Sequence, residues 1–210
     1  MLQAIIFDCD GTLVDSETIG VQVLAEVAAE GGAVFSPAQA LEHLRGLKMA
    51  ECVERIEQWC GLKLAPEFVP QVRLRMAEAF RLRLQPMAGA RELLASLSQP
   101  FCVASSGPRA KIELSLSLTG LAPLVNGRIF SSYEVGSWKP EPGIFLHAAA
   151  ALGVSPSACA VVEDSEPGIR AGIAAGMRVY AYGDFVAQLA ERYRVPHART
   201  HAELAQVFSG

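Results

Sequence analysis

The sequence predicts an α/β protein: a Rossmann-like, doubly wound parallel sheet with an α-helical segment inserted after its first strand. Three observations carry that prediction. Residues 2–7 are a short apolar run rich in Ile and Phe that ends at once on Asp8-Cys9-Asp10-Gly11, as a buried strand opening into a loop does. Residues 15–85 show helical periodicity and no convincing strand. From residue 86 onward, strand-like and helix-like runs alternate, the pattern of βαβ units.

The elements can be justified in order. Val21, Leu24, Ala25, Val27 and Ala28 recur at helical spacing until Gly31-Gly32 stops them. Ser36-Pro37 reads as an N-cap followed by proline at the first helical position. Helical patterns continue over 38–44, 50–60 and 66–84. Residues 90–97 form an amphipathic helix. Residues 101–104 form a strand ending at Ser105-Ser106-Gly107, followed by a helix over 109–118 and a short strand over 128–130. A helix over 142–152 leads to a strand over 159–162 that ends at Glu163-Asp164. A helix over 167–176 and a strand over 178–181 follow. The first strand is short and needs sheet partners. The expected organisation is therefore one core, 1–14 plus 86–210, with a helical cap over 15–85, rather than two independent domains.

Composition narrows the function classes. The chain has 210 residues, with 18 Lys+Arg against 22 Asp+Glu and a formal charge of −4. A hydrophobic share of 51% with 19% charged residues excludes a disordered chain. Mild acidity argues against a nucleic-acid partner, which calls for a basic patch. A membrane span needs ~20 predominantly apolar residues, and charges or Gly/Pro interrupt every apolar run. No basic n-region precedes the first apolar stretch. Cys9, Cys52, Cys60, Cys102 and Cys159 are spread out with no CxxC, which suggests neither a disulfide framework nor a zinc knuckle. A cytoplasmic protein with a small-molecule partner is expected; nothing reads as a coiled coil, and the oligomeric state stays open.

In an open parallel sheet, ligands bind beyond the carboxyl ends of the strands. Four such ends carry reactive groups: Asp8/Asp10, Ser105, Lys139 and Glu163/Asp164. Carboxylates brought together repel unless a cation sits among them. Oxygen-only ligands suit magnesium, which is held by one or two carboxylates, waters and substrate phosphate. Lys139 and Ser105 add what an anion with several oxygens needs. On a regular strand, Asp8 and Asp10 would point to the same side, one as nucleophile and the other handling protons. The −4 of the chain equals the formal charge of Asp8, Asp10, Glu163 and Asp164.

These motifs resemble those of the haloacid dehalogenase superfamily. The string from Asp8 to Glu17, Asp-Cys-Asp-Gly-Thr-Leu-Val-Asp-Ser-Glu, looks like its first motif. Ser105 in Val103-Ala104-Ser105-Ser106-Gly107 resembles the second, and Lys139 in Trp138-Lys139-Pro140-Glu141-Pro142 the third. Val161-Val162-Glu163-Asp164-Ser165 resembles the fourth. The helical insert is placed as in the β-phosphoglucomutase-like branch. Ser132 to Pro140 and Ser106-Gly107-Pro108 are most similar to phosphatases of sugar phosphates and of sugar acids such as 6-phosphogluconate. The resemblance implies a Mg2+-dependent phosphatase in which Asp8 attacks phosphorus to form an aspartyl-phosphate. Asp10 would protonate the leaving alcohol and then activate water. It implies a metal held by Asp8, the Asp10 carbonyl and Asp164, with Glu163 on or beside it. Ser105, Ser106 and Lys139 would bind the phosphoryl oxygens, and the Lys139-Pro140 bond is of a kind that is often cis.

Alternatives implied by the same resemblance are a phosphoglycolate-type phosphatase and a phosphomutase. Gly20 stands where such mutases carry a cap histidine, which counts against the latter. A catalytically idle binding protein is a further class, which the intact motifs disfavour. In the cap, Arg45 and Lys48 flank Gly46-Leu47 at a helix end, where two cations would suit a second anionic group. Asp15 and Glu17 read as helix-capping charges. Cys9, Cys102 and Cys159 read as small hydrophobes on strands, and Trp59 and Phe80 as cap core. Tyr133 and Trp138 read as either pocket or packing residues. His43, His147, His197 and His201 lack metal spacing and read as surface or helix residues.

Overall fold

The computed structural model describes residues 2–209. Its centre is a six-stranded, all-parallel sheet in the order β3-β2-β1-β4-β5-β6. Strand β1 (Ala4–Phe7) is followed by four helices: α1 (Glu17–Glu30), α2 (Pro37–Leu44), α3 (Met49–Cys60) and α4 (Phe68–Arg83). Helix α5 (Ala90–Ser96), β2 (Phe101–Ser105), α6 (Arg109–Leu118), a short α7 (Ala122–Val125) and β3 (Ile129–Ser131) come next. The chain continues through α8 (Ser132–Val135), α9 (Gly143–Ala151), β4 (Cys159–Glu163), α10 (Glu166–Ala174) and β5 (Arg178–Tyr182). It ends with α11 (Ala187–Tyr193), β6 (His197–Ala198) and α12 (His201–Phe208). The helix predicted to begin at Ser36-Pro37 does so, and the Ser36 hydroxyl accepts the Gln39 N–H.

Why these strands are apolar throughout follows from their burial on both faces. Side chains alternate along each strand. Ile5, Phe7, Val103, Ala160, Val162 and Tyr180 join one buried cluster. Ala4, Ile6, Cys102, Ala104, Val161 and Val179 join the other. The first cluster runs without a break into the inserted helices, taking in Val21, Leu24, Val27, Ile56, Val72 and Phe80. Phe7 and Phe101 meet edge to face at 6.1 Å across it, a pairing worth ~0.5–1.5 kcal/mol beyond area burial.

The chain enters and leaves the helical insert through two adjacent segments. Val14 bridges Pro86 in antiparallel fashion. The Asp15 N–H donates to the Gln85 carbonyl at 3.0 Å, and the Met87 N–H to the Leu13 carbonyl at 2.9 Å.

Two expectations need correction. Cys9 is not on a strand, because β1 stops at Phe7 and the chain turns so that Asp10 bridges Val14. His197 lies on β6 and is half-buried, its Nε2 2.8 Å from the Gly183 carbonyl. His201 is a helix residue as expected, opening α12, and is buried there, its Nδ1 2.9 Å from Tyr182 Oη and 3.0 Å from the Ala88 carbonyl. Helix α12 packs on α5, which carries that imidazole inside. The elements after residue 181 were not anticipated at all: β6 has two residues, and a two-residue strand has no readable period.

Candidate functional site

The strand order reverses direction between β1 and β4, the place where open α/β sheets open a crevice at their carboxyl ends. Asp8 directly follows β1; Glu163 ends β4, and Asp164 follows it. Asp8, Glu163 and Asp164 are all buried and offer oxygens within 4.8 Å of one another. Such a set of hard oxygen donors fits magnesium. Lys139, itself buried, reaches across: its ammonium donates to Asp8 Oδ1 and to Glu163 Oε1, each at 2.5 Å, and to the Ala104 carbonyl at 3.0 Å. The Lys139-Pro140 bond is cis.

Burial dominates the electrostatics. It pushes the Asp8 carboxyl up to about 7 against the opposing pull of Lys139. It pushes Asp164 up to about 6, with Arg45 opposing. Glu163 is raised in the same way. For Lys139, burial works against the charge, yet Asp8 and Glu163 hold its pKa above the ordinary lysine value. These acids share too little positive charge, which is the condition under which an added cation is favoured.

Asp10 does not join that cluster. It nevertheless faces the same cavity as Asp8, and its charge acts on Asp8. Its carboxylate is held by the Ser16 hydroxyl at 2.6 Å and the Lys111 ammonium at 2.8 Å. Burial opposes the charge on Asp10, but Lys111 and Ser16 keep its pKa below the usual carboxylate value. Ser105 is buried at the end of β2, its hydroxyl accepting the Gly107 N–H, while Ser106 is half-buried beside it.

A cavity of about 680 Å³ opens over these groups. Asp8, Asp10, Ser105, Ser106, Lys139 and Asp164 line one end of it, and α1, α3 and α4 wall the other. Lys48 lines the cavity and pairs with Glu51 at 3.3 Å. Arg45 behaves differently from its expected partner: its Nε donates to Asp164 Oδ2 at 2.9 Å and its Nη2 to the same oxygen. Phe185 lies over that guanidinium at 4.7 Å. Tyr133 lines the cavity and meets Trp138 edge to face, so both readings of that pair hold in part.

Four residues of the site carry no functional assignment in the sequence reading. Thr12 donates its hydroxyl to Asp164 Oδ1, and Ser16 holds Asp10. Glu17 was assigned to capping, but it faces the cavity; burial, with Asp164 and Asp10 nearby, pushes its carboxyl up to about 8. Lys111 had a readable signal. It stands in the first turn of α6, where the helix dipole disfavours a cation, so some other partner had to hold it there.

The crevice, the acid cluster bridged by a buried lysine and the helical insert after β1 define a Rossmann-like α/β enzyme. Residues 2–176 match the family described as haloacid dehalogenase-like hydrolase, and the chain belongs to it. It is 34% identical over 182 residues to 6-phosphogluconate phosphatase of Escherichia coli (strain K12), covering 86% of this chain and 82% of that one. It is 30% identical to hexitol phosphatase A of the same organism, covering 84% and 81%. A solved haloacid dehalogenase-like protein of unknown function from Agrobacterium tumefaciens superposes with a TM-score of 0.87 at 29% identity, covering 100% of this chain and 98% of that one. The chain is accordingly a phosphatase of this hydrolase family.

Proposed function

We propose that the protein is a magnesium-dependent phosphatase that hydrolyses a small phosphorylated metabolite, a sugar phosphate or sugar-acid phosphate, through an aspartyl-phosphate on Asp8. The observation that carries this reading is the buried Asp8–Lys139–Glu163 bridge with Asp164 beside it, at the mouth of the sheet. Asp8, Asp164 and the Asp10 carbonyl would hold the ion, with Glu163 on or beside it. When bound, magnesium supplies the positive charge that lets phosphate approach these carboxylates.

In the first half-reaction, an Asp8 carboxylate oxygen attacks phosphorus and the ester P–O bond breaks. Asp10, whose carboxyl Lys111 and Ser16 hold below its usual value in the free protein, takes a proton from the monoanionic phosphate ester as it binds and passes it to the departing alkoxide. In the second, Asp10 takes a proton from water as the water oxygen attacks phosphorus, and the bond between phosphorus and Asp8 breaks to release inorganic phosphate. Ser105, Ser106 and Lys139 hold the phosphoryl oxygens in line with the nucleophile. We read 15–85 as the cap and 1–14 plus 86–210 as the core, with the paired segments at 13–15 and 85–87 as the hinge.

The sugar-acid reading draws on the 6-phosphogluconate phosphatase relative and on Lys48 at the cavity wall. Arg45 is engaged by Asp164; Lys48, paired with Glu51, and Arg73 and Arg81 on the same cavity wall are the cations offered to a distal carboxylate. No helix among the described residues is long and apolar enough to cross a membrane. All five cysteines are free, which supports a reducing, cytoplasmic setting.

The test is phosphate release from 6-phosphogluconate, phosphoglycolate, hexitol phosphates and hexose phosphates, each with and without magnesium. Metal-dependent turnover of at least one sugar or sugar-acid phosphate is expected. Folded protein that releases no phosphate from any of them with magnesium present overturns the reading.

A further inference from the structure

The far end of the cavity has an unusual wall. Among the described residues, helices α1–α4 and the loops joining them present to it no Ser, Thr, Asn, Gln, His or Tyr side chain. Val21, Leu24, Leu47, Met49, Met76 and Phe80 are apolar residues of that wall. Its ionic groups are Glu17, Lys48, Arg73 and Arg81. Arg73 is already tied to the Tyr133 hydroxyl at 3.1 Å, and Lys48 to Glu51. Each hydroxyl of a polyol placed against the aliphatic part would lose its water without gaining a partner, and an unpaired buried hydroxyl is costly.

The cavity is not simply a gap left between separated halves. The loop joining α2 and α3 is pressed onto the core: a methyl group built on Gly46 would lie 2.6 Å from Ser165 Cβ. Arg45 next to it bonds Asp164. Even so, about 680 Å³ remains, within the usual range for organic ligands of drug size and ample for a phosphate with a further ring-sized group.

We propose that this site also hydrolyses phosphate monoesters whose alcohol carries an alkyl or ring-sized apolar portion, seated between Leu24, Leu47, Met76 and Phe80, with the phosphate at Asp8. This deepens the phosphatase reading and rests on it. The chemistry is unchanged: the apolar alcohol is the leaving group that receives the proton from Asp10. The phosphoryl end is polar and charged, whereas the stretch between Leu24, Leu47, Met76 and Phe80 is apolar.

The experiment is a series of n-alkyl phosphates, ethyl through hexyl, assayed for phosphate release with magnesium alongside 6-phosphogluconate. The leaving alcohols in the series are nearly equal in acidity, so chain length reports on the wall. Burial of one methylene is worth ~0.8 kcal/mol, or about fourfold in kcat/KM. The expected result is a rise of about that size per methylene until the wall is filled, with a shallower rise in Met76→Gln and Leu47→Gln. A flat or falling series in the wild type overturns the proposal, as does an unchanged slope in both variants. If 6-phosphogluconate is hydrolysed while the series is flat, only this inference falls. If no ester at all is hydrolysed, the phosphatase reading falls with it.

Discussion

Replacing Gly168 by alanine sets two physical rules against each other. Gly168 lies in the first turn of α10, where Gly→Ala by helix propensity alone would stabilise by ~0.5–1 kcal/mol. The Cβ, however, would come within 1.9 Å of Glu163 Cδ and within 2.0 and 2.1 Å of its two oxygens. Glu163 is fully buried and cannot swing away. Its carboxylate is held by Lys139, by the Ser165 hydroxyl at 2.9 Å and by the Ser165 N–H at 3.2 Å. Either the carboxylate leaves Lys139, or α10 moves off the sheet. Breaking a buried ion pair costs ~3–5 kcal/mol, so a net loss of about 2–4 kcal/mol is expected after the propensity gain. For a chain of this size that is a fall of roughly 5–15 °C in Tm, together with loss of phosphatase activity. Thermal melting followed by calorimetry, with phosphate release measured on the same samples, tests it. The comparison variant is Gly20→Ala, where the added methyl meets only the flexible end of Met76 at 3.6 Å, and a gain of ~0.5–1 kcal/mol is expected. A Gly168→Ala protein that melts at or above the wild-type temperature would refute the reasoning.

Three further outcomes are expected. Lys111→Met removes a charge-assisted bond to Asp10 and should lower kcat about 10–100-fold, with Lys111→Arg retaining more; an unchanged kcat in the Met variant would show that Ser16 alone orients Asp10. Chelation of divalent ions should abolish phosphate release and added magnesium should restore it; full activity in excess chelator would count against the acid cluster as a metal site. Burial lowers the His201 pKa below its usual 6.5, so the folded protein keeps the ring neutral while the unfolded chain takes up a proton below that pH. Stability should therefore fall as pH drops through about 6.5 and level off above it. His201→Gln should flatten that part of the curve in denaturant titrations, and an identical pH dependence in the variant would remove His201 as its source.

How much was legible in the sequence divides along physical lines. Strands buried on both faces leave unbroken apolar runs, so β1, β2, β4 and β5 could be read almost to the residue. Asp8, Ser105, Lys139, Glu163 and Asp164 each sit at or just beyond such runs or in a distinctive string, and the chain does bring them together. Asp10 faces the same cavity as Asp8, but the turn after β1 that carries it and the Lys111 and Ser16 that hold it leave no trace in spacing. Arg45 was read as a ligand for substrate; that Asp164 would claim it depends on the path of a loop 119 residues away in sequence. Glu17 was absorbed by an equally good capping explanation. Lys111 broke a helix-dipole preference and could have been caught by asking why.

The two paired segments at residues 13–15 and 85–87 make a ribbon rather than two separate strings. Val14 bridges Pro86 on one side and Asp10 on the other. If 15–85 is the cap and Asp10 the proton donor, as proposed, the pivot would share its backbone with that donor, and a tilt of the apolar wall over a leaving group would also adjust the residue that protonates it.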